Sequence, residues 1–201
     1  MQLANRDIRV GQSVTAYKRA ARLSGTRVTG RGSDDRTGST ALLWAIRRLR
    51  PDSLRHKVIF VWSVQEEGGL NGARYFGDRH GTSLKRVYSV DTFVTSDTPL
   101  ESPHFAYAPL GSGAVLRALD NGSIVPRDDR DRIIGIARAN NIKLQVGTTF
   151  GGTDGSAIQI WGPHNIGLSW PGRYSHGPAE VADLRDIEAL ARLIVAVAKA
   201  P

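Results

Sequence analysis

Apolar residues Ala41, Leu42, Ala45, Ile46 and Leu49 recur at three- and four-residue intervals after Thr37, and Pro51 closes the run; the pattern predicts an amphipathic helix over 37–50. Val58 to Val64 is a continuous β-rich apolar run closed by Gln65-Glu66-Glu67 and two glycines, which predicts a buried strand. Helical spacing resumes from Leu70 to Phe76, and Val87 to Val90 reads as another strand stopping at Asp91. Ile124 to Pro126 leads into a helix over Asp128 to Asn140, and Lys143 to Val146 gives a further strand. After the Gly151-Gly152 turn the pattern predicts a helix over Thr153 to Trp161, a strand over Asn165 to Ser169 and a long amphipathic helix over Leu184 to Lys199. The first thirty residues, with Gly11, Gly25, Gly30 and the alternating Thr26-Arg27-Val28-Thr29, read as strands and turns.

Strands alternating with helices imply an α/β fold: helices layered on a mostly parallel sheet. Reactive groups in such folds gather beyond the carboxyl ends of the strands. That rule selects Asp34-Asp35 before a helix, Glu66-Glu67 and Asp91 after strands, and His176 in the loop ahead of the terminal helix.

Composition narrows the chemistry. The 201 residues, 40% hydrophobic and 23% charged, suit one folded domain, and without cysteine the chain has no thiol nucleophile, iron–sulfur cluster, zinc finger or disulfide. A metal has to be held by His, Asp and Glu. The longest apolar stretches, such as Leu190 to Ala198, fall far short of the roughly 18 to 20 residues of a membrane span, and the charged N-terminus has no secretory apolar region, so no membrane partner and a cytoplasmic setting are expected. The net charge of +8 raises nucleic acid as a partner, but the Arg residues at 47, 48, 50, 55, 127, 130 and 132 are scattered among acids and form no stripe, so nucleic acid is not expected either.

Each selected group also has an ordinary reading. Glu66 and Glu67, two of only five glutamates, could be exposed turn carboxylates; alternatively, adjacent extended side chains point apart, so one could hold a metal while the other handles a proton. Asp34 and Asp35 suit a helix N-cap, yet a cap needs only one aspartate, and a carboxylate can bridge paired metals about 3.5 to 4 Å apart. His176 in PGRYSHGP could be a surface histidine and Asp91 a strand-end turn. Their coincidence at successive strand ends points to a hard, oxygen-rich metal site with one imidazole.

Taken in order, GRGSDDRTGSTALLWAIRRL, VIFVWSVQEEGGLNGAR, SVDTFVTSDTP, GGTDGSAIQIWG and PGRYSHGPAEVADLRD resemble the tetrahedral dinuclear zinc or cobalt aminopeptidases, which include the glutamyl and deblocking aminopeptidases. The resemblance implies a layered zinc-exopeptidase fold, an activity that removes N-terminal residues from short peptides, and homo-oligomeric assembly. It implies two divalent metals, zinc or cobalt, with Asp34 bridging them, Glu67 and His176 completing one position and Asp91 belonging to the other. Glu66 would be the general base that takes the proton from the attacking water, and Asp97, Thr153 and Asp154 would be substrate-binding candidates.

The family's second imidazole comes from a His-x-Asp segment upstream of the Asp-Asp-Arg helix, where this sequence has no histidine. By this resemblance, 1–24 are expected to be the remnant of an inserted dimerisation domain and 25–201 the C-terminal portion of the catalytic domain, lacking its first strands. One full metal site is then expected, with His104 and His164 as candidates to replace the missing ligand. A non-catalytic remnant or binding module on the same fold, and an amidase or deacylase, are the alternatives.

Overall fold

The computed structural model describes residues 9–15, 17, 19–102 and 105–201. Two sheets organise them. A small antiparallel sheet pairs β1 (Ala21–Arg22), β2 (Arg27–Gly30) and β7 (Glu180–Asp183) in that order. The main sheet runs β3 (Arg86–Val94), β6 (His164–Gly172), β4 (Ala114–Leu119) and β5 (Leu144–Thr148). It is mixed: β3 with β6 and β4 with β5 are parallel, whereas β4 with β6 is antiparallel.

Strand pleating divides the helices between two faces. On β6, Ile166, Leu168 and Trp170 join Ala41 and Ala45 of α1 (Ser33–Ile46), Ile133 of α3 (Arg127–Ala139), and Leu190 and Leu193 of α5 (Leu184–Lys199) in the principal core. The preceding Asn165 turns the other way, toward Thr153 at the start of α4 (Asp154–Ile158). On that side Ala73 of α2 (Asn71–His80) packs with Ala157 and Ile158. The α/β architecture expected from the alternation is the one found.

Four differences are informative. Helix α1 stops at Ile46 rather than at residue 50, and Pro51 instead opens a single 3-10 turn, Pro51–Ser53. Residues 58–64 form no strand among the described residues: Ile59, Val61, Trp62 and Val64 are 39–68% exposed. An apolar run becomes a strand only where a neighbour supplies ladder hydrogen bonds, and no described strand pairs with this one. β3 continues past Asp91 to Val94, so that carboxylate lies within the strand. β4 and β7, for which no pattern was read, are both present. No helix among the described residues is long and apolar enough to cross a membrane.

Candidate metal centre

The chain enters α1 through Gly32, whose φ of 65° is left-handed, and both aspartates that follow have non-helical backbone. They divide the work. Asp35 Oδ1 accepts from the backbone N–H of Gly38 at 3.0 Å, which caps the helix three residues on, and from Trp170 Nε1 at 2.8 Å. Asp34 takes no part in capping and extends toward the loop of His176. Its Oδ1 accepts from Thr92 Oγ1 at 2.8 Å and its Oδ2 from Ser175 Oγ at 2.6 Å.

His176 completes the group. Its Nε2 lies 3.3 Å from Asp34 Oδ2 and 3.1 Å from Glu67 Oε2, and the ligand atoms of Asp34, Glu67 and His176 all fall within 4.8 Å of one another. Asp34, Asp35 and Asp91 form a second group within the same limit. Asp34 belongs to both, as a residue between two cations would. The first group borders a cleft of about 470 Å³ between the His176 loop and the start of α1.

Electrostatic crowding marks the same place. Burial, then the neighbouring Asp35 and Asp34, pushes the Asp91 carboxyl well above its ordinary value. Asp35 rises to about 8, chiefly through burial. Glu66 is raised to about 7 by burial, reinforced by Asp154, Glu67 and Asp34. Glu66 and Glu67 lie in a turn over 66–69 and not in the extended backbone expected; Glu67 meets His176, while Glu66 lies chiefly in the field of Asp154 and also feels Glu67, Asp34 and His176. Backbone strain gathers here too, because Gln65 and His176 carry φ values of 58° and 60°.

The remaining candidates are placed as follows. Asp154 is hydrogen bonded by Ser63 Oγ through Oδ2, while its Oδ1 is buried without a partner. Burial raises its carboxyl above the usual range. Thr153 is fully buried, with its hydroxyl accepting from Asn165 Nδ2 at 3.1 Å. Asp97 accepts from the Leu110 backbone and pairs with Arg173 at 2.7 Å. His164 stands at the first residue of β6, bonded to Asp129 of α3, and Asp91 lies on β3 opposite Ser169, five positions further along; His104 falls outside the described residues.

Two supporting residues were not singled out from sequence. Arg117, 4% exposed, crosses Gly167 of β6, where an added Cβ would lie 2.7 Å from its own. Its guanidinium donates to the carbonyls of Thr92 and Phe150, lies 2.7 Å from Asp120 and reaches Asp91 at 3.8 Å. Glu180, 2% exposed, receives backbone N–H groups from both ligand-bearing loops. Neither signal was legible locally, since all these partners except Asp120 and His176 are remote in sequence.

The profile of the M42 glutamyl aminopeptidase family matches residues 2–193. The Escherichia coli K12 protein SgcX is 31% identical over 201 residues, covering 95% of this chain and 53% of that protein. The TET1 peptidase of Pyrococcus horikoshii, described as assembling into a tetrahedron or a large octahedral shell, superposes with a TM-score of 0.81 at 39% identity, over 90% of this chain and 52% of its own. The aminopeptidase APDkam598 of Desulfurococcus kamchatkensis gives 0.84 at 30% identity, over 90% and 51%. The chain therefore spans about half the length of these relatives.

Proposed function

The chain belongs to the M42 glutamyl aminopeptidase family, and from that premise we propose that its Asp34–Glu67–His176 face binds a divalent metal and serves the removal of N-terminal residues from short peptides. The observation that carries the reading is the convergence of two carboxylates and one imidazole within 4.8 Å beside an open cleft. The donor set fits the group: mixed oxygen and imidazole ligands suit zinc or cobalt, and three protein ligands leave a position open. A divalent cation would also relieve the repulsion among the crowded carboxyls of Asp34, Asp35 and Asp91, the set from which a weaker second ion would be held.

Such an ion, when bound, supplies Lewis-acid chemistry that polarises an amide carbonyl and acidifies water. Glu66 is assigned the proton: raised to about 7 and outside both groups of metal-capable side chains, it would take a proton from the attacking water and return it to the leaving amine. Asp154, with one oxygen buried and unpartnered, and Asp97 are the proposed substrate-facing acids, and Thr153 seats Asp154 at the start of α4. Assembly with further copies of the chain, as in the TET1 peptidase, and a cytoplasmic setting complete the proposal.

The test compares cobalt-loaded protein on a dipeptide with a free amine and on its N-acetylated counterpart. Slow, metal-dependent release confined to the free amine, and absent in Glu66→Gln, is expected. Equal cleavage of the acetylated peptide would replace the aminopeptidase reading with an amidase.

A further inference from the structure

We propose that Glu180 is a positioning residue that fixes the Asp34 and His176 loops against each other, so that their side chains meet at the spacing a metal ion requires. The inference rests on the metal reading above and deepens it. Glu180 opens β7 and pairs with Gly30 of β2, directly below the turn that leads into α1. Its carboxylate is 2% exposed, and both oxygens are occupied by backbone donors. Oε2 accepts from the N–H of Ser33, and from that of Asp34 at 3.4 Å; Oε1 accepts from the N–H of His176 at 3.1 Å. It belongs to neither group of metal-capable side chains, so it acts through the ligands.

Two distant stretches of chain are thus tied to one buried anion, and charge-assisted bonds of this kind are roughly twice as strong as neutral ones. The tie also holds His176 in its left-handed backbone conformation, φ 60°, which a non-glycine residue keeps only when its surroundings impose it. Glutamine cannot replace it, since its single carbonyl oxygen can serve one loop while its NH₂ faces the N–H donors of the other.

The test is Glu180→Gln, read by cobalt titration, by the visible spectrum of the cobalt-loaded protein and by amide hydrogen exchange. The expected result is cobalt affinity lowered by about tenfold or more, the usual effect of losing an outer-shell partner. The spectrum at saturating cobalt should also change, while exchange in β6 and α5 stays as in the unaltered protein. Unchanged affinity and spectrum would overturn the proposal, as would exchange that accelerates equally in β6 and α5. Should Glu180→Gln not fold, the unaltered protein decides: the amides of Ser33, Asp34 and His176 should be protected, and free exchange at all three overturns the proposal. If the unaltered protein binds no cobalt while those amides are protected and are released in Glu180→Gln, the positioning role stands and the metal reading falls.

Discussion

Trp170 donates its indole N–H to Asp35 Oδ1 at 2.8 Å, and this bond sets Asp35 apart from the adjacent Asp34. Asp35 is drawn inward beneath β6 and caps the helix through Gly38, which leaves Asp34 facing His176. Glycine is required at 38, since a Cβ there would lie 2.2 Å from Asp35 Oδ2. Trp170→Phe should cost about 1–3 kcal/mol, the range for leaving a buried polar group without its partner, and should weaken cobalt binding as Asp35 is released. Urea unfolding and a cobalt titration check the two effects; an unaltered urea midpoint would remove the role given to this bond.

Glu66 and Glu67 should separate on substitution. Glu67→Gln is expected to lower cobalt affinity sharply, because it deletes one of three ligands, whereas Glu66→Gln should keep the metal and lose peptide hydrolysis. Equilibrium dialysis on both variants distinguishes them, and metal loss in Glu66→Gln would mean that the two assignments are exchanged.

Asp183 provides a pH-dependent support away from the metal face. Its fully buried side chain accepts from Thr26 Oγ1 and from the guanidinium and backbone N–H of Arg185, bonds that hold its carboxyl at about 2, below the ordinary 3.8. A depressed folded-state value stabilises the protein above the unfolded-state value, and the benefit is lost as pH falls toward the folded-state one. Asp183→Asn should therefore cost about 2 kcal/mol near pH 6, falling to roughly half that at pH 3. Urea midpoints at the two pH values measure the gap, and a gap that widens in acid would reverse the argument.

Arg117 is the buried cation of the main sheet. Removing it leaves Asp120, 3% exposed, without its partner at 2.7 Å and Asp91 without its nearest guanidinium. Arg117→Met should cost about 3–5 kcal/mol, as expected when one partner of a buried pair is deleted. Thermal unfolding tests this, and a stability unchanged from the unaltered protein would show that the guanidinium is not needed.

How far the sequence predicted these features follows from where each signal resides. Helix α5 was legible end to end because its apolar stripe, the Asp183 cap and the closing lysine are all local. β4 was not, because Arg117 interrupts AVLRAL and finds most of its partners only in the fold. β7 was hidden in the same way by Glu180 and Asp183, acids buried through contacts with β2 and the loops. The opposite error fell on 58–64, where apolar side chains predicted burial without supplying a pairing partner. Asp34, Glu67, Asp91 and His176 could be named from motifs, and the structure brings them into two adjoining groups. The inward role of Asp35 and the bridge through Glu180 depend on residues far apart in sequence, and no local pattern encodes them.

The number of metal ions bound per chain separates the two candidate positions, and a calorimetric titration of the metal-free protein with cobalt counts them. One position has two carboxylates and an imidazole; the other has carboxyls alone, of which Asp35 is held by Trp170 and Gly38 and Asp91 lies beside Arg117. One tightly held ion per chain, a second bound much more weakly, and loss of the tight ion in His176→Ala are expected. Two ions of equal high affinity, or none, would contradict this.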